Sequence, residues 1–234
     1  MSCAGLCWKI TPRSGDNTSV VPIDGIFTIA PGFSHQNMPP EIAGLLPSNE
    51  GPRAFIDRVL TQPNWPAQFA LGLFMSDPFL SIESESQRLI AHGVQWVTNL
   101  PSVDQHEEEF TQQLSDVGLD QTREFNALTR FKEAGMNIAL IVSAPEKIEQ
   151  IVQLCPDAVI VIPKVTDFAA GFPSPRQRGS SVHAVHAALR ERDWRGPVIG
   201  YGDESETSHQ SQWPDVADAL MSRPIATDAI DLTG

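Results

Sequence analysis

Several hallmarks of common protein classes are missing from this sequence. It contains three cysteines, Cys3, Cys7 and Cys155, and such an odd, scattered set predicts neither a disulfide framework nor a four-thiolate metal site. No apolar run approaches the roughly 18–20 residues that a membrane-spanning helix needs. The opening MSCAGLCWKI also lacks the pattern of a signal peptide. We therefore expect a cytoplasmic protein without a membrane partner.

Positive charge is also scarce. The chain has 16 Lys and Arg against 29 Asp and Glu, a net charge of −13, and only four of the basic residues are lysines. A nucleic-acid-binding protein normally presents a basic face, whereas no cluster of Lys and Arg stands out here. We expect no nucleic-acid partner, and the acidity itself is typical of a soluble, self-repelling surface.

Short catalytic motifs and domain boundaries are absent as well. The sequence has no serine-hydrolase elbow, Walker loop, zinc module or Rossmann fingerprint, and no internal repeat or linker. A chain of 234 residues that is 41% hydrophobic can bury one sizeable core, which predicts a single domain over residues 1–234. Residues 1–20, interrupted by Pro12 and Gly15, are expected to be irregular.

The sequence does contain apolar strand segments that alternate with helical ones. The predicted strands are 26–30, 69–74, 94–98, 137–142, 158–162 and 197–202, with a short seventh at 224–226. The predicted helices are 53–60, 81–92, 107–114, 122–135, 146–154 and 182–192, with another at 216–221. This alternation predicts an α/β fold with parallel strands, namely a TIM-type (β/α)8 barrel, and an open doubly wound sheet is the alternative.

Four segments in register resemble the phosphoenolpyruvate hydrolase-like family, also described as TIM-barrel signal-transduction proteins and similar to phosphoenolpyruvate mutase and isocitrate lyase barrels. They are Ala43–Asn49 (AGLLPSN), Ser76–Phe79 (SDPF), Thr98–Val103 (TNLPSV) and Gly118-Leu119 followed by Glu124. The chain is identified as a divergent member. The family's first strand and Gly-rich turn have no counterpart here, which implies that the first βα unit is missing or remodelled.

Other departures concern groups that the family would use on an anionic substrate. Basic and imidazole side chains expected at strand ends are replaced in Pro31–Gln36, in Ile162–Val165 and in Gly200–Glu204. These changes make the mouth of the barrel more apolar. The prediction of a barrel does not depend on these residues, whereas the prediction that this chain carries out the family's presumed reaction does.

Polar residues at the carboxyl ends of five predicted strands should face one common mouth, because the βα loops gather there. These residues are His35, Asp77, Asn99, Lys164 and Asp203. Asp77 is a candidate general base or Mg²⁺ ligand, although it could instead cap the turn with Pro78. Asn99 could hold a carboxylate or oxyanion, or simply brace its loop.

The remaining candidates carry similar alternatives. Lys164 could form a Schiff base or lie solvated beyond its strand. His35 could act as an acid–base group or form a loop hydrogen bond. The resemblance implies an acid–base role for Glu124, against which we weigh a solvated helix face or an ion pair. Ser76 and Asp203 are candidate substrate contacts, the latter within an acidic turn that could also be merely solvated.

The leading functional hypothesis is a lyase or hydrolase that acts on a small carboxylate or oxo-acid at the mouth. Mg²⁺ is the cofactor that the resemblance allows, but no complete ligand set is visible, and His183 and His186 lack a third ligand. One alternative is a degenerate barrel that binds or regulates without catalysis. Another is an enzyme refitted for a larger, less charged substrate in a specialised pathway. An incomplete barrel would expose a sheet edge, which predicts a homo-oligomer.

Overall fold

The computed structural model describes residues 5–13, 21–29, 51–62, 64–209 and 213–227. The strands in chain order are β1 Gly5–Pro12, β2 Gly25–Ile29, β3 Phe69–Gly72, β4 Trp96–Thr98, β5 Asn137–Val142, β6 Ala158–Val161, β7 Val198–Gly202, β8 Ala219–Ser222 and β9 Ile225–Thr227. The α-helices are α1 Pro52–Val59, α2 Ile82–Ala91, α3 Glu108–Asp116, α4 Gln121–Glu133, α5 Ile148–Leu154, α6 Pro175–Glu191 and α7 Glu204–Thr207. Two 3-10 helices, Val103–Gln105 and Val165–Phe168, follow β4 and β6.

The strands form a closed barrel. Strands β2 to β8 pair in chain order and in parallel, and β1 pairs antiparallel with both β2 and β8. Eight strands therefore close the sheet, and the helices between them lie outside it. The predicted α/β barrel is confirmed at this level. The loss of a first βα unit stays a prediction, since the structure shows only that the eighth position is held by an antiparallel strand.

Strand β1 was not expected, because residues 1–20 were predicted to be irregular. That prediction is wrong for Gly5–Pro12. Alternate residues of this strand, Leu6, Trp8 and Ile10, are buried inside the barrel, whereas Lys9 is exposed. The period of two is that of a strand with one buried face.

Two apolar layers make up the core. The inner layer fills the barrel, where Trp8 is fully buried and its Nε1 donates a hydrogen bond to Thr28 Oγ1 at 3.0 Å. The outer layer lies between the strands and helices and includes Leu128 and Phe131 of α4. Because β5 and β6 are covered on both sides, their sequences are continuous apolar runs.

The end of the described chain also differs from expectation. The helix predicted over 216–221 is wrong, since Ala219–Ser222 is strand β8 with Ala219 and Met221 inside the barrel. Ile10 lies opposite Met221, and Cys7 lies opposite Ile225. Between these two pairs there are three residues on one side, 222–224, but only two on β1, Trp8 and Lys9. This extra residue is a bulge, which accommodates Pro224 because Pro cannot donate a ladder hydrogen bond.

Closure removes the sheet edge on which the expected homo-oligomer was based. No open edge remains between β2 and β8, because β1 covers both strands. Self-association thus stays an untested prediction without that support. None of the helices in the described ranges is long and apolar enough to cross a membrane.

The contribution of Trp8 to the packing inside the barrel can be tested by equilibrium urea unfolding. Trp8→Ala should lower the free energy of unfolding by about 3–5 kcal/mol, because it leaves a large cavity in the inner layer. Trp8→Phe should fall between this variant and the wild type, since it keeps most of the volume and loses the bond to Thr28. Lys9→Ala, an exposed neighbour on β1, is the control and should change stability by less than about 0.5 kcal/mol. Equal losses for the Trp8→Ala and Lys9→Ala variants would contradict the packing.

Candidate functional site

The family-like segments that the structure describes meet at the carboxyl ends of β3 and β4. Ser76 Oγ, after β3, donates a hydrogen bond to the carbonyl oxygen of Asp120 at 2.9 Å. Asn99, after β4, donates from Nδ2 to Glu124 Oε1 at 2.8 Å. Three segments distant in sequence are therefore joined by side-chain hydrogen bonds. His35 and the segment Ala43–Asn49 lie outside the described residues.

Glu124 is the centre of this contact. Its side chain projects from α4, is fully buried, and accepts hydrogen bonds from Asn99 Nδ2 and Ser102 Oγ, both at 2.8 Å, and from the backbone N of Val103 at 3.0 Å. All three donors belong to the loop after β4. The carboxylate thereby fixes that loop, a role that excludes the solvated helix face considered from the sequence.

Burial also changes the acidity of this group. Desolvation raises the pKa of Glu124 to about 7, although the hydrogen bonds from Val103, Asn99 and Ser102 favour the charged form and oppose the rise. Such a value suits acid–base chemistry near neutral pH. Since the carboxyl is fully enclosed, however, the structure shows it in contact with its own loop and not with an open site; the predicted catalytic role stays a prediction.

Asn99 uses both ends of its amide within the protein. Its Nδ2 donates to the carbonyl oxygen of Ile141 at 3.0 Å, and its Oδ1 accepts from the backbone N of Ile141 at 2.8 Å. These bonds tie the loop after β4 to strand β5. Of the two readings weighed from the sequence, the structure shows the loop brace.

Asp77 and Asp203 are likewise engaged by their own backbone. Asp77 Oδ1 accepts from the backbone N of Phe79 at 2.7 Å, which is the turn considered from the sequence. Asp203 Oδ1 accepts from Ser205 N at 3.0 Å and caps α7, and these bonds lower the pKa of Asp203. Neither geometry excludes a ligand contact, but each carboxylate already stabilises its own turn or helix end.

Within the described residues, no three His, Cys, Asp or Glu side chains are placed to hold a metal ion together. Asp77, the candidate Mg²⁺ ligand, accepts the turn hydrogen bond from the backbone N of Phe79. A Mg²⁺ cofactor stays a prediction, and we assign no step to it.

A cleft of about 510 Å³ opens among the loops that follow β4, β5 and β6. Its volume is in the range of small-molecule sites. Lys164, predicted from the sequence, lines it, and so does Lys147, which the sequence analysis missed. Neither lysine forms an ion pair with a described residue. No motif or periodicity in the sequence distinguishes Lys147 from the other lysines.

The rest of the lining is polar and of mixed charge. Hydroxyl groups come from Thr111, Thr122 and Thr166, and carboxylates come from Asp104, Glu107, Glu108 and Asp120. Asp104 is already bonded, since its Oδ2 accepts from Ser143 N at 2.8 Å and from Ser143 Oγ at 2.6 Å. The cleft thus offers two ammonium groups and several hydroxyl donors beside four carboxylates, of which Asp104 and Asp120 accept hydrogen bonds from protein groups.

Aromatic rings cover the barrel interior beside the cleft. Phe168 and Phe172, in the loop after β6, pack near Tyr201, with ring centroids 6.4 and 5.7 Å from it. The guanidinium groups of Arg178 and Arg223 lie 4.7 and 4.9 Å from the Phe172 ring. These rings contact one another.

The acidic turn after β7 is not merely solvated, as the sequence also allowed. Glu206 pairs with the buried Arg178 through two bonds of 2.6 and 2.9 Å. A bidentate pair of this kind fixes geometry as well as charge. It holds α6 against α7, and the sequence contained no signal for it.

The fold and the strand-end cleft define an α/β barrel with a candidate small-molecule site. No protein-family model matches the sequence, and no curated protein is similar to it. A nitroalkane oxidase structure from Streptomyces ansochromogenes is 15% identical with a TM-score of 0.37, over 65% of this chain and 48% of the oxidase. FabK from Thermotoga maritima is 16% identical with a TM-score of 0.38, over 72% of this chain and 44% of FabK. This chain thus spans less than half of either protein, and scores this low establish neither family nor activity.

The raised pKa of Glu124 predicts a pH effect on stability. Between its ordinary value of 4.5 and about 7, the folded protein binds this proton more tightly than the unfolded chain. The stabilisation is complete below 4.5 and is lost as pH rises through 7, a loss of about 3 kcal/mol for such a shift. Urea unfolding at about pH 5 and about pH 8 should show this loss in the wild type but not in Glu124→Gln. Glu133→Gln, exposed on the same helix, should keep the wild-type slope. Parallel pH profiles for all three proteins would contradict the prediction.

Proposed function

We propose that this chain is a small-molecule enzyme, of lyase or hydrolase type, that binds a small carboxylate or oxo-acid in the cleft after β4, β5 and β6. The observation that carries the proposal is the pair Lys147 and Lys164, which line one cleft without an ion-pair partner among the described residues. A carboxylate supplies the acceptor oxygens that two ammonium groups require.

A divergent relationship to the phosphoenolpyruvate hydrolase-like family is part of the proposal. It is supported by the contacts between the segments that carry the resemblance: Ser76 with Asp120, and Asn99 and Ser102 with Glu124. Residues that act together in a site must be brought together by the fold, and these hydrogen bonds bring the resembling segments into contact. One of the residues in these contacts, Asp120, also lines the cleft.

Lys164 is the residue proposed for covalent chemistry. After loss of a proton to solvent, its Nζ attacks the carbonyl carbon of a 2-oxo acid and forms a C–N bond. The carbonyl oxygen leaves as water, and the resulting C=N bond withdraws electrons from the neighbouring carbon. Lys147 holds the carboxylate in this scheme.

Non-catalytic binding is the second candidate. It is favoured by a specific observation: the carboxylates of Asp77, Asp203 and Glu124 all accept hydrogen bonds from nearby protein groups. A barrel of this kind would bind the same acids and release them unchanged. The two functions agree on the ligand and differ in turnover.

The ligand assignment can be tested by calorimetry with pyruvate, 2-oxoglutarate and phosphoenolpyruvate. Lys147→Met and Lys164→Met should each weaken binding about 10- to 100-fold, which corresponds to the loss of one hydrogen bond to a charged group. Lys132→Met is the control, since Lys132 bonds to the carbonyl oxygen of Cys155 and lies outside the cleft. If none of the acids binds the wild type at millimolar concentration, the proposed ligand class is wrong.

Borohydride trapping separates the enzyme from the binding protein. With pyruvate present, reduction should fix a C=N bond as a stable amine on Lys164, which peptide mass spectrometry can locate. Lys164→Met should remove the adduct, whereas Lys132→Met should retain it. Binding without an adduct, and with pyruvate unchanged by NMR after long incubation, would favour the non-catalytic function.

A further inference from the structure

Several buried polar atoms lack a protein partner in the segment from β4 to the 3-10 helix that follows it and at His106. In the described part of the chain they include Thr98 Oγ1, both amide atoms of Gln105, and His106 Nε2. Leaving such an atom unbonded costs about 1–3 kcal/mol, so that a native protein normally pairs it with a protein group, a water or a ligand. Of these residues, His106 lines the cleft, although only 5% of its surface is exposed.

The loop that leads to His106 is anchored at two points. The backbone N of Val103 donates to Glu124, and Asp104 accepts hydrogen bonds from Ser143. The His106 ring packs edge-on against Phe110, with centroids 4.9 Å apart. These contacts place the ring at the cleft wall but do not fix its side-chain torsions.

The charge of the ring decides which ligand group it suits. Burial lowers the pKa of His106 to about 4, so that the imidazole is neutral at pH 7. A neutral imidazole offers one N–H donor and one acceptor nitrogen, which suits a carbonyl or hydroxyl oxygen better than a carboxylate. The two lysines of the same cleft suit the carboxylate.

We propose that His106 is a specificity-determining residue, whose Nε2 bonds to the carbonyl or hydroxyl oxygen of a 2-oxo or 2-hydroxy acid whose carboxylate is held by Lys147. This inference rests on the proposed function, because it deepens the ligand class of the same cleft. The Nε2 atom is enclosed in the structure, so the ring must rotate to present it to the ligand oxygen. The cleft would then distinguish such acids from simple carboxylates.

The test compares lactate with propionate, which lacks the hydroxyl oxygen; unlike pyruvate, lactate cannot form a C=N bond with Lys164. Wild-type protein should bind lactate at least about tenfold more tightly than propionate, the effect of one hydrogen bond. His106→Phe keeps an aromatic ring on Phe110 and should bind both acids equally, with propionate affinity within about twofold of the wild type. His106→Gln, which retains a polar side chain, serves if the Phe variant does not fold. His92→Phe is the control, because His92 bonds to Gln62 O outside the cleft and should leave the preference unchanged.

The outcomes separate the inference from the proposed function. If wild-type protein binds both acids equally and His106→Phe changes neither affinity, the role of His106 is overturned while the lysine site stands. If neither acid binds the wild type, the proposed ligand class fails and the inference fails with it. A lactate-dependent shift of the His106 Nε2 resonance in ¹⁵N NMR, absent with propionate, would support the contact directly.

Discussion

Closure of the sheet by β1 is the constraint on which the other features depend. A sheet of seven parallel strands leaves unpaired backbone groups at two edges, and β1 satisfies both by pairing antiparallel with β2 and β8. The same strand places the fully buried Trp8 inside the barrel. Within this closed sheet β4, β5 and β6 are parallel neighbours, so their carboxyl ends lie on one side of the molecule. The cleft exists because the loops after those strands have this common direction.

Much of this architecture could be read from the sequence, and the exceptions have physical reasons. Strands such as β5 and β6 are buried on both faces, so their composition alone marks them. Strand β1 has a weaker pattern, and its partners lie at residues 25–29 and 219–227, where only the folded chain reveals them. Strand β8 contains Ala, Leu and Met, which favour helices in isolation. The barrel overrides that preference, because pairing and burial contribute more than intrinsic propensity.

The site was less predictable than the fold, since a strand end fixes a residue's position but not the direction of its side chain. Asp77 and Asp203 bond to backbone N–H groups two residues later, which short carboxylates do readily in turns. Lys164 also takes part in a local cap, since its backbone N donates to Asp167 Oδ2 at 2.9 Å, but its long side chain lines the cleft. His106 lies beyond the strand end in a 3-10 connection, where neither periodicity nor a motif distinguishes it. Its unpaired nitrogen is a property of the folded protein and has no counterpart in the sequence.

The buried carboxyl of Glu124 gives these loop residues their common frame. Burying it is unfavourable, as its raised pKa shows, and the hydrogen bonds from Asn99, Ser102 and Val103 offset part of that cost. The buried carboxyl positions the loop after β4, and this loop carries His106 to the cleft wall. An acidic protein of net charge −13 gains no long-range attraction for an anionic ligand, and charges beyond about 8 Å are screened in any case. Recognition of an acid here must therefore come from groups in direct contact, and a rigid loop is what keeps such groups within hydrogen-bonding distance.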